Sequence, residues 1–182
     1  MVKWIPYFIH MTSLVFWLKA ESQRISRLTN WQIFTIFSAL VYVLAVSYLT
    51  LAPTSYAFSG VQQVAPIMFG NVPMNLVPFL SSSIDYYQNI LMLMPFGVYL
   101  TLLRPHWRPK NIFLAGLFVS TGIEFLQFIL DWFINLSRWV DINDIITNTL
   151  GVLVGWTIMQ VLKKTKLNKL IRKFTIDFKL LN

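Results

Sequence analysis

Residues 112–134 read IFLAGLFVSTGIEFLQFILDWFI, and residues 142–162 read INDIITNTLGVLVGWTIMQVL. Both are apolar runs of helix length, and each carries a stripe of polar and small residues. The first stripe is Gly116, Ser120, Glu124, Gln127 and Asp131; the second is Asp141, Asp144, Asn148, Gly151 and Gly155. Spacings of three and four keep each stripe on one helical face. If the chain reverses near Asn135, the stripes meet in register. Gly116 is then expected level with Gly155, Ser120 with Gly151, Glu124 with Asn148, Gln127 with Asp144 and Asp131 with Asp141. Small residues would let the backbones touch at one end, while carboxylates and amides converge at the other. Ionisable groups that deep in apolar helices are costly, which makes the cluster the first candidate for a functional site.

Composition points the same way. Of 182 residues, 56% are hydrophobic and 12% charged, against roughly a quarter charged in a soluble domain. A crossing helix needs about 20 mostly apolar residues. Segments 32–52, 88–103, 112–134 and 142–162 come near that, the second with Gln88 and Asn89 at headgroup level. The expected fold is all-α: a polytopic membrane protein with four transmembrane helices and interfacial helices at both termini. Its parts are a cytoplasmic-side interfacial segment (1–30), a four-helix membrane domain (31–162) and a basic amphipathic tail (163–182).

The net charge of +8 is distributed as topology and lipid anchors rather than as a nucleic-acid surface. Lys19, Arg24 and Arg27 precede the first span, and Arg104, Arg108 and Lys110 fill the loop between the second and third. Lys163, Lys164, Lys166, Lys169, Arg172, Lys173 and Lys179 follow the fourth, whereas loop 53–87 has no Lys or Arg and the 133–141 hairpin only Arg138. The positive-inside rule then puts both termini in the cytoplasm and both of those loops outside. The tail has Leu167, Leu170, Ile171, Phe174, Phe178 and Leu181 at helical spacing opposite its lysines, as in a helix lying on anionic lipid.

The N-terminal run from Trp4 to Leu18 is interrupted by Pro6 and His10, and no small-residue cleavage site follows it, so it does not read as a signal peptide. At about 15 residues it is short for a crossing and is expected to lie at the interface, with a re-entrant hairpin as the alternative. Loop 53–87 contains Pro53, Pro66, Pro73 and Pro78, which argues against a long helix. The loop is nonetheless apolar, as in a lid over the polar cluster or a segment resting in the outer leaflet. Pro95 and Gly97 mark a kink in the second span.

Glu124 lies about 18 Å along its helix from Ile112, just outward of the midplane of a core about 30 Å thick. Three readings stay open for it: a charge paired with Arg138 or Gln127, a proton or cation carrier, or a ligand contact. Helix capping accounts for Asp141 and Asp144 but not for Asn148. Gly151-x-x-x-Gly155 reads as a packing motif. Enzyme equipment is incomplete: there is no cysteine, His10 and His106 fall on the cytoplasmic side, and no serine has an evident base partner. Asp-x-x-Asp is a weak cation signal. No catalytic residue, metal ligand or cofactor is assigned.

Several stretches resemble the VanZ-like family, small membrane proteins named for a teicoplanin-resistance accessory protein. They are Asn75-Leu76-Val77-Pro78-Phe79; Asn89-Ile90 through Pro95-Phe96-Gly97; Ser120 to Gln127; and Arg138-Trp139-Val140-Asp141-Ile142-Asn143-Asp144 into Asn148-Thr149-Leu150-Gly151. The resemblance covers about residues 71–160. It implies a bacterial cell-envelope protein of four or five membrane helices, some members of which lower susceptibility to teicoplanin-type lipoglycopeptides. By resemblance, Asn75, Pro78, Phe79, Asn89, Glu124, Gln127, Arg138, Asp141, Asp144, Asn148 and Gly151 occupy motif positions.

The combined expectation is a non-enzymatic protein that binds an envelope lipid or lipid-anchored ligand in an outer-leaflet cleft. Glu124, Asp144 and Arg138 would set its polarity, Gln127, Asn89 and Asn148 would supply hydrogen bonds, and the Asn75–Phe79 segment would cover it, with Asp141 and Asn75 among the ligand-binding residues. An enzyme acting on lipid head groups with a carboxylate-held cation, and a scaffold whose stripes only pack helices, are the alternatives. Transport is disfavoured, because polarity on one side offers no through-path.

Overall fold

The computed structural model describes residues 2–53, 66–79, 84–136 and 138–178. The chain is mostly helical. After a short turn at Val2–Trp4 come α1 (Ile5–Ala20), α2 (Ser22–Ile25) and α3 (Asn30–Leu51). Strands β1 (Ile67–Phe69) and β2 (Val72–Asn75) follow, then α4 (Ile84–Leu103), α5 (Pro109–Ile134), β3 (Val140–Asp141), α6 (Ile142–Lys163) and α7 (Asn168–Phe174). Among the described residues, α3, α5 and α6 are long and apolar enough to cross a membrane. α4 has 20 residues, but Asp85, Gln88 and Asn89 in its first turns make it less apolar.

Helices α3 to α6 alternate in direction. The capping box of Thr29 and Gln32 starts α3, and Asn135 in the left-handed conformation ends α5. α4 is drawn tightly against α6, because glycines remove the side chains between them. A Cβ added at Gly151 would overlap the Ile90 carbonyl, one at Gly155 the Met94 carbonyl, and one at Gly97 the Val152 carbonyl. Leu93, Leu100, Ile112 and Val152 form the core where α4, α5 and α6 meet.

A three-stranded sheet, absent from the all-α expectation, covers the end of the bundle where α5 finishes and α6 begins. β1 and β2 form a hairpin with Phe69 opposite Val72, and β2 runs parallel to β3 with Asn75 opposite Asp141. Gly70 takes the positive φ (61°) that the first central position of this two-residue turn demands. A Cβ there would come within 2.6 Å of the Trp132 ring. The Asn71 amide donates to Asp131 O and Asn135 Oδ1, fastening the turn to the end of α5. The rest of the expected loop 53–87, at 54–65 and 80–83, lies outside the described residues.

In their described parts both terminal segments pack against the bundle. α1 does not lie flat beside the start of α3. Trp4 and Tyr7 contact Tyr48 near the far end of α3, and Lys3 Nζ donates to Asn135 O. α1 therefore runs antiparallel along α3, which brings Lys3 and Trp4 to the end of the bundle where α5 finishes, away from α7. The physical reason is that an interfacial helix needs one polar face, whereas α1 is apolar around its circumference. Its Thr12 and Ser13 hydroxyls turn back onto the Phe8 and His10 carbonyls.

The tail is helical only over Asn168–Phe174 and then threads between α3 and α4. Ile176 N donates to Leu102 O at 2.8 Å, and Thr35 Oγ1 to Phe174 O at 2.8 Å. Ile171 and Ile176 are buried against protein rather than against lipid, while Leu167 and Leu170 remain exposed. The Ile176 contact satisfies one of the carbonyls left open at the end of α4. Lys179 and Leu181 lie outside the described residues.

Candidate functional site

Asp141 is the hub of the polar end. As N-cap of α6 its carboxylate accepts from Asn143 N at 2.7 Å and Asn143 Nδ2 at 2.8 Å. It also accepts from Asn75 Nδ2, which lies 3.1 Å from each carboxylate oxygen. The Asp141 backbone N–H donates in turn to Glu124 Oε2 at 3.0 Å. Glu124 is 3% exposed, so this bond fixes the entry of α6 deep in the bundle.

The expected register is thereby corrected. Glu124 lies level with Asp141 rather than with Asn148, and Ser120 Oγ reaches the Asp144 and Ile145 carbonyls rather than Gly151. Gly116 faces Val152, while Gly151 and Gly155 face α4. The chain leaves α5 at Ile134 and comes back along it, with Arg138 N beside Asp131 and the strand Val140–Asp141 beside Glu124. Extended residues advance about 3.3 Å each against about 1.5 Å in a helix, so α6 begins about two turns further down α5 than a helical hairpin would allow.

Gln127 and Arg138 turn toward α3. Gln127 Nε2 donates to Thr50 O at 3.1 Å, and Arg138 Nη2 donates to Leu49 O and Ala52 O at 3.0 Å each. Together they supply donors to the carbonyls that end α3. Burial pushes the Arg138 guanidinium below its ordinary value, partly opposed by the nearby Glu124 carboxylate. Asp131 Oδ1 accepts from Arg138 N at 3.3 Å. From α4, Asn89 Nδ2 donates to Asp144 Oδ1 at 2.6 Å.

The Asn75–Phe79 segment closes over the start of α6. Phe79 N donates to Asn143 Oδ1 at 2.8 Å, Asn143 Nδ2 reaches Val77 O at 3.5 Å, and the Phe79 ring stands edge-on to Tyr86. Its outer face is apolar: Leu76, Val77 and Phe79 are exposed, as are Ile67, Met68 and Phe69 on β1. On α4 and α6, Tyr86 Oη, Gln88 Oε1 and Asn148 Oδ1 are buried without a hydrogen-bond partner among the described residues.

The structure thus brings Asn75, Asn89, Glu124, Asp141 and Asp144 into one hydrogen-bonded neighbourhood at the start of α6. It sends Gln127 and Arg138 to the α3 rim and leaves Asn148 one turn deeper. Sequence reasoning gave no role to Asn143, which is 1% exposed and joins Asp141 to the covering segment. The signal was present in Asp141-Ile142-Asn143, a capping pattern, but Asn143 lies off the polar stripe of α6. Among the described residues, no three His, Cys, Asp or Glu side chains group as a metal site.

A helical membrane bundle with a buried carboxylate–amide network under a short sheet defines the class. The profile of the VanZ/LLP1 family matches residues 37–163, and the chain belongs to that family. No curated protein and no solved structure matches it.

Proposed function

We propose that this VanZ-like protein crosses the bacterial cell membrane four times, through α3, α4, α5 and α6. It would bind an envelope lipid or lipid-anchored ligand at the covered polar end, reducing the access of teicoplanin-type lipoglycopeptides to their target. The observation that carries the reading is that, among the described residues, buried polar atoms of Tyr86 and Gln88 on α4 and of Asn148 on α6, the two helices joined by the Asn89–Asp144 bond, have no hydrogen-bond partner. Each such atom costs roughly 1–3 kcal/mol while unpaired, and a ligand bearing hydroxyl or amide groups would relieve that cost. The apolar outer face of the cover suits the hydrocarbon part of the same ligand. Alternation of α3 to α6 supports the fourth crossing, since α4 must return the chain between α3 and α5.

The test is teicoplanin susceptibility of a Gram-positive host carrying empty vector, wild type, Glu124→Ala or Asn148→Leu at matched membrane abundance. The reading expects protection by wild type and its loss in both variants. Protection that survives Asn148→Leu would overturn the ligand role of this cluster. Wild type indistinguishable from vector would overturn the resistance role.

A second reading has its own support. Most of the polar atoms around Asp141 are satisfied inside the network, as in a scaffold that only joins helices. That reading expects well-folded Asn148→Leu protein to behave as wild type.

A further inference from the structure

At the other end of the bundle α3 meets α4 only lightly, since α4 is held against α6. A groove of about 290 Å³ remains between them, walled by Phe34, Ser38, Pro95, Val98, Tyr99 and Phe174 among others. That volume is at the lower edge of small-ligand sites. Thr35 Oγ1 is engaged by Phe174 O and Ser38 Oγ by Thr35 O, so these two hydroxyls are satisfied, and most of the wall is apolar.

Phe174 connects the groove to positive charge. Its ring meets Trp31 at 5.0 Å, and Lys173 Nζ lies 5.9 Å from the Trp31 ring centroid. Lys164, Lys166, Lys169, Arg172 and Lys173 are all exposed at this end. The described acids here are already engaged, Glu21 by Arg24 and Asp177 by His106. An apolar slot beside uncompensated cations matches the two halves of an anionic amphiphile. A free anion would have no use for the slot, and a neutral lipid none for the cations.

We propose that this groove holds one acyl chain of an anionic membrane phospholipid, with its phosphate against Lys173 and the neighbouring cations of α7. The site is separate from the carboxylate network and would tie the C-terminal tail, α3 and α4 together through a bound lipid.

Native mass spectrometry of the purified full-length chain in detergent, titrated with dioleoyl-phosphatidylglycerol or dioleoyl-phosphatidylcholine, tests it. The expectation is one retained phosphatidylglycerol, preferred by roughly fivefold for each cation at the headgroup. Ser38→Leu and Val98→Phe, which fill the groove from opposite walls, should each reduce retention of both lipids; if one misfolds, the other decides. Lys173→Gln with Arg172→Gln should abolish the preference while leaving weak retention of either lipid. Equal retention of the two lipids by wild type would overturn the proposal. So would undiminished phosphatidylglycerol retention in a folded groove variant, since the charged tail alone would then account for the binding.

Discussion

The Asp141 amide donates to the Glu124 carboxylate at 3.0 Å, and that bond sets the depth at which the last long helix begins. From Glu124 to the end of α5 at Ile134 the helix rises about 15 Å. The return runs back along it, Arg138 N bonding the Asp131 carboxylate and, three residues on, Asp141 N bonding Glu124. Glu124 is therefore an anchor for the α6 N-terminus before it is anything else.

Removing the acceptor should be costly and replacing it should not. Glu124→Ala leaves the buried Asp141 N–H unpaired, for a loss of roughly 1–3 kcal/mol. Glu124→Gln keeps a side-chain oxygen in place and should stay close to wild type. Thermal unfolding in detergent, followed by circular dichroism, compares them; equal losses would mean that the carboxylate charge, not the hydrogen bond, is what matters.

Asn75 and Asp141 should behave as one unit. Asp141→Ala removes the α6 cap, for about 1 kcal/mol, and also the anchor of the covering segment. A double-mutant cycle with Asn75→Ala should show a coupling of about 0.5 kcal/mol or more. Strict additivity would mean that the cover is held elsewhere.

The α4–α6 contact should not tolerate side-chain volume. A Cβ at Gly155 would overlap the Met94 backbone carbonyl, which has nowhere to move, whereas a Cβ at Gly122 on α5 would meet nothing within 4 Å. Gly155→Val is expected to lose about 3 kcal/mol or more and Gly122→Val almost none. Yield of monodisperse protein on size-exclusion chromatography distinguishes the two.

The placement of α1 makes a topological prediction. Val2 is near Tyr48 and Asn135 at the polar end, and Lys164 lies at the basic end. The chain has no native cysteine, so Val2→Cys and Lys164→Cys can be labelled singly in sealed vesicles with a membrane-impermeant maleimide. Labelling from opposite sides is expected. Labelling of both from one side would return α1 to the interface.

Much of the fold was legible in the chain itself, because the lipid environment leaves few choices. Apolar runs of about 20 residues must close their own backbone hydrogen bonds, so helices in 32–52, 112–134 and 142–162 follow from composition alone. The two polar stripes likewise marked Glu124, Asp144 and Asn148 as buried before any packing was known, and Asp141 as a cap.

What linear pattern could not carry was everything that depends on the path between helices. Periodicity assumes that a helix continues at one rise per residue, so it could not foresee the extended return that moved Glu124 from Asn148 to Asp141. It assigned Gly151 and Gly155 to the neighbouring helix in sequence, whereas the closest backbone approach is to α4, where Gly97 had read as part of a kink. A three-residue strand such as β1 has too few residues to show alternation. Composition and spacing dictate which residues must be hidden from lipid; which of them meet depends on chain path and backbone proximity, and those arise only when all the helices are packed together.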